Sequence, residues 1–278
     1  VRVDLPDFSN QKLYNPRIEQ LYGYNNTVLP DDKLVQPRVG FNYTFDSDRP
    51  TQLRGGIGLF GGAAPNVWLA GAYQNTGLNY VEYDLRGNQA PAFNPALPPS
   101  TDGMTPGSGR MNVDIIEPGT RMPSVWKANL AFDHELPWYG ITASAELLLT
   151  KVKDALYFER LDVMTPTVYG LDGRAIYWNA KGRDSKNARL DTTGSSPSGN
   201  NFGMVSGTNG AGDRANRPSD IGDVMLLRNT DKGHSTQATF ALSKPMSDNW
   251  AWSLGYTYTA AKEVSSLTSS QNTSNWNN

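Results

Sequence analysis

The sequence lacks cysteine entirely and has only two histidines among its 278 residues. Without cysteine there is neither a disulfide framework nor a thiolate metal site. No run of eighteen apolar residues occurs, which excludes a transmembrane helix. Val1 opens without a charged and apolar leader, and 269–278 is rich in Ser, Asn and Thr. We therefore expect a chain truncated at its N-terminus and ending in an open loop.

Aliphatic residues are also scarce for a chain of this size. Hydrophobic residues make up 38% of the sequence, and the mean hydropathy is −0.53. A disordered chain of this polarity would lack aromatic residues, yet 10% of these residues are Phe, Trp or Tyr. Lys and Arg number 25 against 27 Asp and Glu. This balance gives no basic surface for nucleic acid, so no nucleic-acid partner is expected.

Alternation of apolar and polar residues with a period of two recurs in six segments and predicts six β-strands. In the first, Val39, Phe41 and Tyr43 share one face, and Gly40 and Asn42 share the other. The predicted strands are 38–46, 52–59, 125–136, 139–150, 236–243 and 250–259. Their lengths are close to the roughly 9–11 residues that a tilted strand needs to cross a bilayer. One face is aliphatic and aromatic, as in lipid-facing strands bounded by aromatic girdles.

The connections between these strands alternate between short and long. Short turns are predicted at 47–50, 137–139 and 244–248. Long segments are predicted at about 6–36, 61–123, 154–223 and 261–278. Outer-membrane barrels combine short periplasmic turns with long extracellular loops. We therefore expect the short turns to face the periplasm and the long segments to face outward.

The long segments contain further patterned stretches. The strand-like pieces 67–73 and 78–84 predict a small hairpin. The stretches 154–163 and 223–228 predict continuations of strands beyond the membrane. By contrast, 86–118 is rich in Pro and Gly, and 184–220 is dominated by Gly, Ser, Asn and Asp.

Five charged side chains fall on the predicted polar face of the strands: Arg38, Arg54, Lys127, Asp133 and Glu146. Charged groups inside a membrane are costly unless they line a wet or protein-filled interior. We interpret this face as the lumen of a barrel, in contact with a plug or a passing substrate. The other interpretation is the solvated outer face of a sheet in a soluble protein.

Some sequence patterns resemble enzyme motifs, but each of them is better explained by a structural role. The string GIGLFG at 56–61 matches a dinucleotide loop, but its glycines lie inside a predicted strand, and 62–65 is a poor helix start. We interpret these glycines as part of a crowded inner wall. His134 and His234 have no positional partners for a triad, and no metal-binding spacing occurs. No catalytic residue, metal ligand or cofactor is predicted, and we expect that the chain is not an enzyme.

Several strings together carry a family resemblance. They are QPRVGFNY (36–43), LRGGIGLF (53–60), PNVW (65–68), WKANL (126–130), IYWN (176–179) and WSLGYTYT (252–259). In this order they resemble TonB-dependent outer-membrane receptors, in the branch with an N-terminal carboxypeptidase-regulatory-like domain. The resemblance implies a barrel of about 22 strands filled by a plug and driven through TonB. We expect the plug and the TonB-contact segment to lie outside this chain.

The sequence therefore predicts an all-β chain in which 1–278 forms part of one antiparallel, up-and-down transmembrane β-barrel of the outer membrane. About six to eight of the barrel's strands would come from this chain. The implied partners are outer-membrane lipid, the plug, TonB and a large ligand, and the implied function is energy-coupled passage of that solute. The alternative is a soluble all-β module that binds carbohydrate or another ligand through exposed Trp and Tyr. The alternation of short and long connections favours the barrel.

Ligand-binding residues stay unassigned, although loops on a rigid scaffold commonly carry recognition. Aromatic residues of the long segments are Trp68, Tyr73, Tyr80, Tyr83, Phe93, Tyr169, Tyr177, Trp178 and Phe202. They are candidates for ligand contact or, as for Tyr177 and Trp178, for packing of the loops against one another.

Overall fold

A computed structural model describes residues 1–4, 12–30, 33–79, 83, 85, 90–97, 100, 102–104, 111–177, 216, 218 and 220–277. The helices are α1 (Pro16–Tyr22), α2 (Asn66–Gln74) and α3 (Asn272–Asn277). The strands are β1 (Arg2–Asp4), β2 (Leu34–Gln36), β3 (Arg38–Thr44), β4 (Thr51–Gly61), β5 (Val113–Ile116), β6 (Ser124–Glu135), β7 (Thr142–Arg160), β8 (Val168–Tyr169), β9 (Ala175–Ile176), β10 (Val224–Thr230), β11 (His234–Ser247) and β12 (Trp250–Lys262). The chain is therefore mostly β, with short helices in the segments predicted as loops.

Six strands follow one another across the main sheet in the order β12-β11-β7-β6-β4-β3. Every neighbouring pair is antiparallel. These strands correspond to the six predicted from the alternation of apolar and polar residues. The described strands do not close into a barrel, because β12 and β3 stand at the two ends of the order.

Two of the short turns depend on residues with positive φ. Tyr139 and Gly140 have φ values of 57° and 61°, and Asp248 and Asn249 have values of 53° and 66°. Two consecutive positive φ angles are the requirement of a type I′ hairpin turn, which Gly, Asn and Asp tolerate best. The turn predicted at 244–248 accordingly begins later, because β11 continues through Ser247.

The chain divides into two compact units. The first comprises Val1–Gln74, Asp114–Glu159 and Leu226–Asn278; the second comprises Asn75–Val113 and Arg160–Met225. In the first unit most of the buried apolar residues lie outside the half of the main sheet that is nearest the short turns. They are Ile18, Leu34, Leu59, Ala64, Trp68, Leu69, Ala72, Ile115, Ile116, Ala131, Ile141, Leu156, Phe158, Leu226 and Leu227. The long connections thus supply most of this unit's own core.

Helix α2 occupies the stretch predicted as the first strand of a hairpin, so that prediction is wrong. The helix begins after Pro65, whose carbonyl accepts from the Trp68 amide at 3.0 Å. Trp68, Leu69 and Ala72 form one buried stripe. The Trp68 indole donates to the Ser269 carbonyl at 2.9 Å, and its ring meets Phe158 edge-on at 6.2 Å. This packing overrides the strand propensity of the aromatic residues.

The structure confirms strands in both of the predicted continuations. β7 runs on to Arg160, and β10 pairs with both β5 and β7. Within the first unit, Arg228 bridges these strands by contacts of 2.8 Å to Glu117 and 2.6 Å to Glu159.

The segment predicted as the loop 6–36 contains α1 and β2. Asn15 caps α1 by accepting from the Arg17 amide at 3.1 Å, and its own amide donates to the Asn26 side chain at 2.8 Å. Nearby, the Lys12 ammonium donates to the Val28 carbonyl at 2.8 Å and lies 5.6 Å from the centre of the Tyr73 ring. Burial lowers the pKa of Lys12 to about 8.

The second unit contains the β8–β9 hairpin and a buried ion cluster. Arg160 bonds to Asp162 at 2.8 Å and also to Asp223. Asp162 additionally accepts from the Val224 amide at 3.1 Å. Most of the predicted loop 184–220 and residues 80–82 of the predicted hairpin lie outside the described residues.

Among the helices that the structure describes, none has both the length and the apolar character needed to span a membrane.

Replacing Trp68 with Ala should loosen α2, because the indole is 8% exposed and the change leaves a cavity beside Phe158. The free energy of opening of the α2 amides should fall by about 3–5 kcal/mol, as measured by hydrogen exchange. Val67→Ala on the exposed side of the same helix is the matched control. Equal exchange in both variants would contradict the packing described for α2.

Lys12 should titrate near pH 8 in the folded chain, because burial disfavours its charged form. Its folded pKa lies below the unfolded value, so the unfolded chain binds more protons between about pH 8 and 10.4. Lys12 should therefore add stability as the pH rises through that window. Amine labelling read by mass spectrometry should give a midpoint near pH 8 for Lys12. In denaturant the midpoint should move above pH 10; equal midpoints would contradict burial.

Candidate functional site

The register of the main sheet places the predicted apolar positions of all six strands side by side. Directly paired residues of antiparallel strands lie on the same face. One such row crosses the sheet through Phe41, Gly55, Leu130, Leu147, Ala238 and Tyr258. The neighbouring row on this face is Tyr43, Leu53, Phe132, Ala145, Phe240 and Tyr256. We call this surface the apolar face.

The apolar face is exposed in the chain itself. Phe41 is 52% exposed, Leu130 50%, Phe240 59% and Leu254 66%. No second sheet among the described strands covers these side chains, as it would in a β-sandwich. An exposed apolar surface spanning several strands marks a site that meets lipid or another apolar partner.

The opposite, polar face carries the five charged residues predicted from the sequence. Two pairs of strand neighbours interact there: Arg54 with Asp133 at 3.0 Å, and the Asn129 amide with Glu146 at 3.2 Å. Register puts Arg38, Gly58 and Lys127 in one row of this face. The structure therefore brings all five charges to one surface.

Phe60 is an aromatic residue on the polar face that the sequence analysis did not single out. The Arg38 guanidinium lies 4.2 Å from the centre of its ring, and the Lys127 ammonium lies 5.9 Å from it. Cations at these distances are attracted by the ring's negative face. The two cations flank this ring at the end of the sheet remote from the short turns.

The glycines of GIGLFG lie inside β4, as the structural interpretation required. A Cβ on Gly56 would lie 2.8 Å from the Val39 carbonyl, and one on Gly58 would lie 2.9 Å from the Arg38 side chain. The following helix α2 begins only at Asn66. The glycines therefore allow close packing of the wall and do not form the turn of a dinucleotide site.

The two histidines lie far apart. On β7 their rows meet Ala143 and Lys151, eight residues apart, which corresponds to about 27 Å along a strand. His134 shares a 2.8 Å hydrogen bond with the Thr51 hydroxyl and stacks on Phe132. Within the described part of the chain, no three His, Asp or Glu side chains are grouped so as to hold a metal ion.

The short-turn end of the apolar face contains a buried lysine that the sequence analysis assigned to a turn. Lys244 pairs with Trp252 and is 2% exposed. Its ammonium donates to the Ser247 hydroxyl at 2.6 Å and to the Trp250 carbonyl at 3.1 Å, with the Trp250 ring 4.3 Å away. The stem thus follows an apolar surface while the charge is satisfied by the turn.

The other end of the apolar face finishes in a row of basic residues. Register places Trp126, Lys151, His234 and Lys262 side by side across four strands. The row was not predicted, because single-strand patterns do not reveal which residues of different strands are neighbours. We call Lys151, His234 and Lys262 the basic row.

The distance between these two ends matches a bilayer. His234 and Lys244 are ten residues apart on β11, or about 33 Å along the strand. At the usual barrel tilt this corresponds to about 23–27 Å across the membrane, against an apolar band of about 25 Å in outer-membrane barrels.

The described aromatic residues of the long segments have different local surroundings. Trp68 belongs to the core and Tyr73 lies beside Lys12. Phe93 and Tyr169 are exposed. Tyr80, Trp178 and Phe202 lie outside the described residues.

Comparison with known proteins is consistent with this geometry. A search of curated proteins found no match. The family described as "Outer membrane beta barrel domain" matches residues 6–278. Because this match covers nearly the whole chain, the protein belongs to the outer membrane beta barrel domain family and lies in the outer membrane.

Proposed function

We propose that this chain forms part of the wall and outer vestibule of a TonB-dependent receptor, through which a large solute crosses the outer membrane with energy coupling. The single observation that carries the proposal is the exposed apolar face, backed by a polar face on the same six strands. A transmembrane barrel wall needs both, because one side meets lipid and the other meets water or protein.

The polar face supports a filled or solute-conducting lumen. Its Arg54–Asp133 pair, separated by 3.0 Å, is part-exposed in the chain. Such ion pairs are tolerated at membrane depth where they face a wet or protein-lined interior. The proposed occupant of the lumen is the receptor's own plug. In this proposal the plug contacts the polar face and is supplied by a part of the receptor other than this chain.

The choice of a TonB-dependent receptor among outer-membrane barrels rests on the resemblance of 36–43, 53–60 and 252–259 to that family. These strings occupy β3, β4 and β12 of the sheet. The long connections after β4 and β7 carry their own strands and core, as vestibule-forming loops of large receptors would. The branch with a carboxypeptidase-regulatory-like domain is part of the same proposal.

The proposed role of this chain in transport is passive. Its strands would hold the barrel and its outer segments would admit the solute, with TonB supplying the drive through the plug. We propose no catalytic step and no cofactor.

Spin labels on the two faces should report different environments in the membrane-embedded protein. Labels at Phe41, Leu130, Leu147 and Leu254 should be relaxed by a lipid-soluble quencher. Labels at Asn42, Asn129, Glu146 and Ser253 should report water or buried protein. Each pair of positions is adjacent in sequence, so the second set is a matched control for the first.

A slip of one residue in register would exchange the two sets. Equal protection of both sets from the lipid-soluble quencher and from water would instead indicate a soluble sandwich core and would overturn the proposal.

Shortening the outer segments should abolish solute uptake while leaving the wall assembled. The replacements are 86–110 and 184–215 by Gly/Ser linkers; the first stops before β5, whose Ile115 and Ile116 are 1% exposed. Uptake by cells measures function, and heat-modifiable migration on a gel measures assembly. An uncoupler of the membrane potential is the control for energy coupling. Normal uptake after both replacements would place recognition outside these segments.

A further inference from the structure

The basic row concentrates positive charge at one end of the apolar face. Lys151 and His234 are direct partners across β7 and β11, and His234 and Lys262 are direct partners across β11 and β12. Directly opposite side chains stand about 5 Å apart. All three are exposed. The row is therefore a compact basic surface on the lipid-facing side.

These lysines have no acidic partner among the described residues. Within the described ranges, the Lys151 ammonium donates to the Asp231 carbonyl alone, at 3.2 Å, whereas nearby Lys153 is paired with the Asp154 carboxylate at 3.0 Å. Like charges on facing strands repel one another, and an anion beside Lys151 and Lys262 would offset that repulsion. The arrangement thus favours an external anion.

The next row toward the short turns is Ile57, Ala128, Leu149, Thr236 and Ala260. An anion bound at the basic row would therefore lie directly beside apolar surface. An acylated lipid has the same arrangement, because its charged head group is joined to apolar acyl chains. Trp126 stands beside Lys151 in the same row, and aromatic residues favour the level of the head groups.

We propose that the basic row binds the phosphate groups of a phosphorylated, acylated glycolipid of the outer leaflet, whose acyl chains lie on the apolar face. This inference rests on the proposed function, because the long connections are there taken to face outward. The lipid would neutralise Lys151 and Lys262 and hold the wall at a fixed depth.

The test uses the full chain in detergent and lipid A, a diphosphorylated glycolipid, as the probe, with bound lipid counted by native mass spectrometry. The double variant Lys151→Gln/Lys262→Gln should bind lipid A about 30-fold more weakly. This follows because each lysine near an anionic surface contributes about 1 kcal/mol, and about 1.4 kcal/mol is tenfold in affinity. Lys151→Arg/Lys262→Arg should retain binding.

The matched control is Arg38→Gln/Lys127→Gln, which removes two cations from the adjacent row of the polar face and should leave binding unchanged. Equal loss in both double variants, or loss in neither, would overturn the inference. Equal binding of phosphatidylglycerol and lipid A would overturn the assignment to a glycolipid.

A spin label at Leu147 distinguishes failure of the glycolipid site from failure of the proposed barrel wall. If the lipid-soluble quencher relaxes this label but the lysine substitutions leave lipid A binding unchanged, only the glycolipid site is wrong. If lipid does not reach Leu147, the barrel wall and the glycolipid site fail together.

Discussion

The interaction on which both faces depend is the antiparallel backbone pairing of β3, β4, β6, β7, β11 and β12 in matched register. Side chains alternate with a period of two, so the pairing of backbones decides in one step which side chains lie together. With this register, Leu130 neighbours Leu147 and Asn129 neighbours Leu148 and Gly56. A slip of one residue on β7 would set Glu146 beside Leu130, in the middle of the apolar face.

Two kinds of apolar burial follow from that constraint. In the segments between wall strands, Trp68, Ile115, Phe158 and Leu226 are buried against protein. On the wall, apolar side chains of the same size remain exposed. The first arrangement stabilises the chain by itself, at about 25 cal/mol for each Å² removed from water. The second gains this free energy only when lipid covers the wall, which ties the fold to the outer membrane.

The wall was predictable because alternation is a local signal that survives in every strand, as in 125–136 and 236–243. Helix α2 was not, since Val67, Trp68 and Tyr73 favour strands. Contacts with distant residues, such as those of Trp68 with Phe158 and the Ser269 carbonyl, stabilise the helix. Contacts between distant segments likewise determine the basic row. The turn lies later than predicted because β11 continues through Ser247, and Asp248 and Asn249 take the two positive φ angles.

The two ends of the apolar face handle positive charge in opposite ways. Lys244 turns its ammonium back onto carbonyl and hydroxyl oxygens of its own hairpin, so its charge is satisfied without a partner molecule. Lys151 has a single carbonyl, and Lys262 has no carboxylate partner in the described part of the chain. If both ends of the apolar face met identical surroundings, this difference between the lysines would serve no function. This asymmetry in lysine charge is a property of the strands and does not depend on the length of the connections. It matches a bilayer whose two leaflets differ in head-group charge.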